Sequence, residues 1–151
     1  SVAVRLHSVY CRDAKPGTLM HSLLHEDVVK LYSNGETYRH YTHIDDAVQG
    51  LLYAYATDKR IVNCFNPEVI SASAFVERFR EGVESLGKEI GHKFKVNAYN
   101  VESMRKGEKR RISPNRDIFA VPLQYSSVEG GLRRVTFDKK VAEWLVARDW
   151  Q

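Results

Sequence analysis

The sequence has little of what marks several classes of protein. It contains two cysteines, Cys11 and Cys64, in 151 residues, which are too few for a disulfide framework or a cysteine-rich zinc site. Its apolar runs are far shorter than the roughly 20 residues of a membrane-spanning helix. Its first residues also lack the charged, apolar and small-residue order of a signal peptide. We therefore expect a protein of a reduced, cytoplasmic compartment.

A glycine-rich phosphate-binding loop is also missing. Neither G-x-x-G-x-x-G nor G-x-G-x-x-G follows a predicted strand, and such loops hold dinucleotide phosphates at a helix N-terminus. The sequence has no internal repeat and no low-complexity segment. With 43% hydrophobic and 28% charged residues, it has the composition of a globular domain with its own core.

The charge balance is basic, with a formal net charge of +4. Much of the excess lies in the loop-like residues 106–116. An excess of positive charge attracts a polyanion or a phosphate-bearing ligand. Alternatively, the basic residues lie on solvated faces, or a missing acidic half balances their charge. Aromatic side chains, on which nucleic-acid bases stack, are not interleaved there. A solvated or substrate-facing loop is therefore favoured over a nucleic-acid-binding segment.

Hydrophobic patterns predict strands and helices in mixed order. Residues 2–6 are typical of a strand buried on both faces, and residues 18–26 predict a helix capped by Thr18. Further strands are predicted at 28–32, 37–42, 60–65, 93–99 and 134–137, with loops over much of 103–131. This order favours an α/β or mixed α+β fold over a sandwich or a bundle.

Three amphipathic helices are predicted in the rest of the chain. The first has one apolar stripe, made of Ile44, Ala47, Val48, Leu51, Leu52 and Tyr55. The second is opened by Ser71 and stopped by Gly87, and its stripe consists of Ala72, Phe75, Val76, Phe79, Val83 and Leu86. A terminal helix is capped by Asp138.

Three short motifs stand in order in the first 46 residues: R-L-H-S-V-Y at 5–10, S-N-G at 33–35 and R-H-Y-T-H-I-D-D at 39–46. Together they resemble the second half of an extended short-chain dehydrogenase/reductase, the family of NAD(P)-dependent nucleotide-sugar epimerases and dehydratases. The motifs of that family run R-x-x-N-V-Y-G-P and then G-D-G-x-x-R-D-[FY]-x-H-V-D-D. The resemblance is close over residues 2–86 and looser in the tail.

This resemblance implies an α/β fold, a mixed α+β fragment of a Rossmann-type enzyme. Residues 1–12 would be the last part of the Rossmann sheet, and 13–151 a substrate-binding domain. The implied ligand is a nucleotide-diphosphate sugar. NAD or NADP would be bound mainly by an amino-terminal half upstream of Ser1, which is the expected partner, and no cofactor is expected on this chain alone. A homodimer is a further candidate assembly, whereas neither a membrane nor a nucleic acid is an expected partner.

Arg39 is the first candidate for substrate binding. Its planar guanidinium suits bidentate contacts with phosphate, and in the family the arginine at this position holds the diphosphate. The alternative is a surface arginine paired with Glu36 or Asp45, and the surrounding motif match favours the functional interpretation.

The resemblance implies further substrate contacts. Ser8 stands where the family has asparagine, and a hydroxyl still donates a hydrogen bond. Cys11 and Arg12 replace Gly-Pro, so Arg12 is a candidate second phosphate contact. The family also has a phosphate-binding arginine near the tail, for which Arg116, Arg110 and Arg111 are candidates. The predicted substrate-binding residues are His7, Ser8, Arg12, Arg39, Tyr41 and Arg116.

Four residues are expected to support the site without touching substrate: His43, Asp45, Asp46 and Asn63. The resemblance implies that His43 and the first-turn aspartates fix the corner between strand and helix. A catalytic alternative would make His43 a general base oriented by Asp46. No adjacent nucleophile accompanies it, so support is favoured.

Two other patterns are interpreted as coincidences. Tyr55 and Lys59 match the family's catalytic Y-x-x-x-K, but they lie downstream of R-x-x-N-V-Y, whereas the family's pair lies upstream. No catalytic residue is therefore expected in this chain. His21 and His25 are spaced like two zinc ligands on a helix, but no third ligand stands at a recognisable spacing.

We therefore expect the substrate-binding portion of an NAD(P)-dependent nucleotide-diphosphate-sugar epimerase or dehydratase. Two alternatives remain open. One is a non-catalytic nucleotide-sugar-binding module of the same fold, suggested by the departures at Ser8 and Cys11. The other is a nucleic-acid-binding domain that uses the basic residues 105–116.

Overall fold

A computed structural model describes residues 1–148 of the chain, so the last three residues of the predicted domain 13–151 lie outside the described part. The strands are β1 (Ala3–Leu6), β2 (Val9–Tyr10), β3 (Val28–Leu31), β4 (Tyr38–Arg39), β5 (Thr42–His43), β6 (Ile61–Cys64), β7 (Ile70–Ser71) and β8 (Asn97–Asn100). The helices are α1 (Leu19–His25), α2 (Ile44–Ala56), α3 (Ala72–Ile90), α4 (Val128–Thr136) and α5 (Lys139–Ala147), with a short 3-10 turn at Ser33–Gly35. The predicted α/β class is confirmed.

A parallel β-α-β arrangement lies at one end of the molecule. β1 pairs in parallel with β6, and Val4 stands opposite Val62. The backbone of Asn63 pairs on the other side of β6 with Phe119 and Val121, and α2 packs against both strands. β1, in the predicted sheet segment 1–12, therefore pairs with β6, in the predicted substrate-binding domain 13–151.

The main core is built around α3. The predicted stripe of this helix is buried, and Phe75 and Phe79 are fully enclosed. α4 packs along α3, and α1 and α5 complete the layer. The N-caps predicted for three helices are present: Thr18 for α1, Ser71 for α3 and Asp138 for α5.

The predicted strand at 37–42 is divided into two. β4 pairs antiparallel with β7, whereas β5 pairs in parallel with β2. The chain therefore changes partner between Arg39 and Thr42, and the intervening His40 is buried with its Nδ1 2.8 Å from the carbonyl oxygen of Asn66.

Two predictions near the end of the chain are wrong. Residues 128–136 form helix α4 where a loop and the start of a strand at 134–137 were expected. Gly130 and Gly131 indicated a loop, but Ser127 caps the helix by accepting a hydrogen bond from the N–H of Gly130 at 3.0 Å. Gly131 is required in the helix because a Cβ there would collide with the hydroxyl group of Tyr10.

The expected burial of β1 on both faces is also wrong for the described chain. Leu6 is 43% exposed and Arg5 is exposed.

The apolar stripe predicted for α2 is also mostly exposed, because this helix packs through small residues instead. Gly50 lies so close to Cys64 that a Cβ would collide with its sulfur, and Ala47 and Ala54 are buried beside it.

None of the helices in residues 1–148 is long and apolar enough to cross a bilayer.

Candidate functional site

A cavity of about 300 Å³ opens between α1, β4 and the turn at residues 105–108. Its polar lining includes Ser8, Thr37, Arg39, Tyr41, Arg105 and Glu108. Three of these residues, Ser8, Arg39 and Tyr41, were predicted from two separate motifs to contact substrate. Folding thus brings residues from distant parts of the sequence to one concave surface.

Arg39 is held at the cavity by backbone carbonyl groups. Its Nη1 donates to the oxygen of Tyr38 at 2.8 Å and to that of Arg110 at 3.3 Å, and its Nη2 donates to the oxygen of Lys109 at 2.7 Å. These neutral acceptors fix the guanidinium plane without neutralising its charge. Within residues 1–148 Arg39 forms no ion pair, so neither Glu36 nor Asp45 is its partner.

Ser8 contributes a strained backbone to the same cavity. Its φ of 41° lies in the left-handed region, which is unfavourable for a residue other than glycine. Such strain persists where the surrounding structure imposes it, and it clusters at ligand sites. The carbonyl of Ser8 accepts a hydrogen bond from the N–H of Thr42 at 3.2 Å, which joins Ser8 to the first residue of β5.

Tyr41 lines the cavity as a buried aromatic residue. Its ring stacks on Phe75 with the centroids 4.2 Å apart, and the residue is 9% exposed. Burial raises the pKa of Tyr41 to about 12, so its phenol is neutral at physiological pH. A neutral hydroxyl donates to an anionic oxygen without adding charge.

Arg105 and Glu108 were missed by the sequence analysis. The N–H of Arg105 donates to Oε2 of Glu108 at 3.2 Å, and the turn closes with a bond from the N–H of Glu108 to the carbonyl of Arg105 at 2.9 Å. Gly107 makes this turn possible with a φ of 77°. The available signal was an arginine and a glutamate flanking a glycine in a basic loop, but the family motifs pointed to Arg12, Arg110, Arg111 and Arg116 instead.

Two of the predicted substrate contacts, His7 and Arg116, pack against the ring of Phe65. The imidazole of His7 meets the edge of Phe65 with the centroids 5.6 Å apart, and the Arg116 guanidinium lies 5.4 Å from the centroid of the same ring. Burial lowers the pKa of His7. Neither residue lines the cavity that contains Arg39. Arg111 lies over the ring of Tyr38 and is also outside the lining.

Arg12 lies in a second cavity, of about 290 Å³, with Arg134 and Asp138. Its Nη1 contacts both carboxylate oxygens of Asp138 at 3.0 and 3.1 Å. The structure therefore ties Arg12 to a helix cap and does not bring it to Arg39.

The four residues expected to give support form a framework around α2. Nδ1 of His43 accepts a hydrogen bond from the N–H of Asp45 at 3.1 Å and so caps the helix. Asp45 pairs with Arg134 at 2.8 Å, and Oδ2 of Asp46 accepts from the N–H of Ser126 at 2.9 Å. Asn63, 1% exposed, donates through its Nδ2 to the carbonyl of Asn115 at 2.9 Å.

The residues of the two patterns interpreted as coincidences do not line the cavity. Tyr55 is 91% exposed near the end of α2. His21 and His25 stack with their ring centroids 4.7 Å apart, and His25 packs on Trp144 at 5.0 Å. Within the described residues no group of three potential ligands surrounds a metal position.

The cavity is suited to an anion that also carries hydroxyl groups. Arg39 and Arg105 provide positive charge, Ser8 and Tyr41 provide hydroxyl donors, and Glu108 provides an acceptor. Asp45 and Asp46 connect the β5–α2 corner to α4 and to Ser126, and Asn63 connects β6 to Asn115.

Comparison with solved structures finds the same fold in nucleotide-sugar enzymes. The UDP-glucuronic acid 4-epimerase of Bacillus cereus is 23% identical, with a TM-score of 0.63, over 94% of this chain and 45% of that one. The UDP-N-acetylglucosamine 4-epimerase of Methanobrevibacter ruminantium is 13% identical, with a TM-score of 0.66, over 97% of this chain and 46% of that one. TunA, an NAD-dependent NDP-hexosamine 5,6-dehydratase, is 17% identical, with a TM-score of 0.59, over 99% of this chain and 46% of that one.

No family model matches the sequence, and no curated protein is significantly similar to it. The chain spans less than half the length of the solved structures it resembles. It has the fold of the carboxyl-terminal part of the Rossmann-type extended short-chain dehydrogenases, the family whose motifs its sequence resembles.

Proposed function

We propose that this chain is the substrate-binding portion of an NAD(P)-dependent nucleotide-diphosphate-sugar epimerase or dehydratase. The observation that carries the proposal is the shared cavity. Ser8, Arg39 and Tyr41 are all predicted as substrate contacts by the sequence motifs, and all three line it. Solved structures of the same fold hold UDP-glucuronic acid together with NAD, which supports the ligand class.

The diphosphate is bound by charge and by oriented donors. Arg39 provides a guanidinium whose orientation is set by three carbonyl contacts, so little side-chain entropy is lost on binding. Arg105 adds a second positive charge from the turn, and the hydroxyl groups of Ser8 and Tyr41 donate to phosphate oxygens. Glu108 accepts a hydrogen bond from a ribose or sugar hydroxyl.

The dinucleotide is assigned to the other half of the enzyme. A dinucleotide diphosphate needs a glycine-rich turn between a strand and a helix N-terminus, and residues 1–148 contain no such turn. The residues present do not fit NAD by themselves, so the role of this chain is to bind and orient the sugar nucleotide. The two free cysteines, Cys11 and Cys64, agree with the proposed cytoplasmic location.

Calorimetric titration with a ligand panel tests the proposal. The panel contains UDP, UDP-glucose, UDP-glucuronic acid, inorganic phosphate and a single-stranded oligonucleotide. We expect UDP and its sugars to bind more tightly than phosphate, because the cavity contacts hydroxyl groups as well as charge. Binding of the oligonucleotide alone, weakening steeply with salt, would instead support the nucleic-acid alternative.

A further inference from the structure

A short segment of the basic loop pairs with β4, the strand that carries Arg39. The N–H of Tyr38 donates to the carbonyl oxygen of Arg110, and the N–H of Ile112 donates to the carbonyl oxygen of Tyr38 at 3.2 Å. Arg111 thus stands opposite Tyr38 in a parallel bridge. We call residues 109–112 the strap.

The strap occupies the edge of β4 that β7 leaves free. β7 pairs antiparallel with β4, and on that side the carbonyl of Thr37 accepts a hydrogen bond from the N–H of Ala72 at 2.9 Å. Because successive residues of a strand direct their backbone groups to opposite edges, those of Tyr38 face the strap. The strap satisfies both of them, as backbone groups within a sheet require, so it is a part of the sheet and not a loop that merely passes over it.

Two arginine side chains fasten the strap to β4. Nη1 and Nη2 of Arg39 donate to the carbonyl oxygens of Arg110 and Lys109 at 3.3 and 2.7 Å. The guanidinium of Arg111 lies 5.4 Å from the centroid of the Tyr38 ring, which is within the range of a cation–π contact. Arg110 through its carbonyl group and Arg111 through its side chain therefore both contribute to the attachment of the strap.

The strap is the downstream anchor of the turn at residues 105–108. Upstream, the N–H of Ser33 donates to the carbonyl oxygen of Ser103 at 3.0 Å. The turn itself adds a long contact, from the hydroxyl of Ser33 to Oε2 of Glu108 at 3.4 Å. Beyond the strap, the carbonyl of Asn115 accepts a side-chain hydrogen bond from β6 at 2.9 Å. Without the strap, the free segment would lengthen toward Asn115 and would have more conformational freedom to lose on binding.

We propose that the strap positions Arg105 and Glu108 at the cavity and so prepares the site for its ligand. Ile112 and Arg111 do not line the cavity, and they act on binding through the turn. A turn that is ordered in advance does not have to be ordered by the ligand. If loss of the strap lowered the fraction of molecules with an ordered turn to about one tenth, the apparent Kd would rise about tenfold. The inference rests on the proposed function, since it concerns the same cavity.

Substitution of Ile112 tests the backbone pairing. Ile112→Pro removes the N–H that donates to Tyr38, whereas Ile112→Ala keeps it and shortens a side chain that is 41% exposed. Amide hydrogen exchange is followed by NMR in the absence of nucleotide. We expect faster exchange at Tyr38, Arg105 and Glu108 in Ile112→Pro, and wild-type rates in Ile112→Ala. Unchanged exchange at Arg105 and Glu108 in Ile112→Pro would overturn the proposal.

Arg111→Ala is a second variant, which leaves the backbone donors in place. It removes the contact with the Tyr38 ring, so we expect a smaller increase in exchange at the same amides. The amide of Phe79, within α3, should exchange at the wild-type rate in every variant and so controls for global unfolding. If Ile112→Pro also accelerates exchange at Phe79, the comparison rests on Arg111→Ala, in which unchanged exchange at Arg105 and Glu108 would overturn the proposal.

A double-mutant cycle with UDP measures the consequence for binding. We expect Ile112→Pro to weaken UDP binding by about tenfold. Arg105→Ala should weaken it more in the wild type than in Ile112→Pro, because an arginine that is no longer positioned contributes little to binding. Damage unrelated to the turn would leave the effect of Arg105→Ala the same in both backgrounds, and such additivity would overturn the proposal. If the wild type binds no UDP while the exchange differences are found, the proposed function is wrong and the strap still positions the turn.

Discussion

Arg12 and Asp138 form an ion pair across 126 residues of sequence, with Nη1 of the arginine 3.0 Å from one carboxylate oxygen and 3.1 Å from the other. Asp138 is also the N-cap of α5, since it accepts hydrogen bonds from the N–H groups of Lys140 and Val141. The pair joins the segment after β2 to the last helix. It explains why a residue that the motif match predicted as a phosphate contact stands in a different cavity.

The first prediction separates these two roles of Arg12. We expect Arg12→Ala to lower the melting temperature and to leave UDP affinity unchanged, because its guanidinium is bound to Asp138 and not to the ligand cavity. Thermal unfolding and calorimetry of the same preparation measure both quantities. An Arg12→Ala variant that keeps its melting temperature but loses UDP affinity would show that Arg12 contacts the ligand, and would contradict its structural role.

The second prediction concerns the cap itself. Asp138→Ala removes the acceptor of two helix N–H groups, and loss of an N-cap costs about 0.5–2 kcal/mol. Asp138→Asn keeps a good capping side chain and should cost less.

The cap also depends on pH. Partial burial acts to raise the pKa of Asp138, but the hydrogen bond from Val141 and the contact with Arg12 outweigh it and lower that pKa. The ionised Asp138 therefore contributes fully to the free energy of unfolding above the unfolded-state pKa of about 3.9. This contribution is lost as pH falls through the lower folded-state pKa. Urea titrations of both variants measure the difference, and equal losses would contradict a specific cap.

The third prediction is a loss of stability in mild acid. Burial lowers the pKa of His43, and the Arg134 charge acts in the same direction. Its Nδ1 accepts a hydrogen bond from Asp45, which requires the neutral ring. The contribution of His43 to the free energy of unfolding is therefore fully present above the unfolded-state pKa of about 6.5. It decreases as pH falls below that value.

Urea unfolding of the wild type and of His43→Asn at about pH 7.5 and about pH 5.5 checks this sign on either side of the unfolded-state value. Asparagine can cap the helix without titrating, so the variant should lose less stability than the wild type on acidification. Burial also lowers the pKa values of His7 and His25, so part of the dependence should remain. Equal pH dependence in the two proteins would rule out His43 as a contributor.

The fourth prediction concerns the contact between Gly131 and Tyr10. A Cβ at residue 131 would collide with the Tyr10 hydroxyl, whereas one at Gly130 would meet only Oγ of Ser127 at 3.2 Å. Alanine is favoured over glycine in a helix by up to about 1 kcal/mol, but overpacking costs about 1–3 kcal/mol. We expect Gly131→Ala to be the more destabilising of the two, as measured by thermal unfolding, and the reverse order would contradict this packing.

Much of the architecture follows from local patterns. The spacing of Phe75, Val76 and Phe79 predicts both α3 and its buried face, because a long helix with large apolar residues on one side has one stable way to pack. Caps such as Thr18 and Ser71 fix where helices begin, since their oxygens satisfy backbone N–H groups. These features depend on neighbours in sequence.

Other features depend on distant residues and were not predictable from local patterns. The stripe of α2 has the periodicity of a core face, but its packing is decided by the close approach of Gly50 to Cys64. The two glycines of α4 are locally typical of a loop, but Gly131 is required there because Tyr10, distant in sequence, packs against it. Arg39 was found because it stands within a motif, whereas Arg105 reaches the same cavity only through the turn at Gly107.

Calorimetric binding of UDP to Arg39→Ala tests the central claim most directly. The wild type, Arg39→Lys and Arg60→Ala serve as comparisons, since Arg60 is exposed and does not line the cavity. Hydrogen bonds to charged groups contribute about 1.5–3 kcal/mol, so we expect Arg39→Ala to weaken UDP binding by about 10- to 100-fold and Arg60→Ala to leave it unchanged. Arg39→Lys should restore only part of the affinity, because lysine lacks the planar fork. Equal affinities of the wild type and Arg39→Ala, or no binding of UDP by the wild type, would contradict the assignment of this cavity to a nucleotide diphosphate.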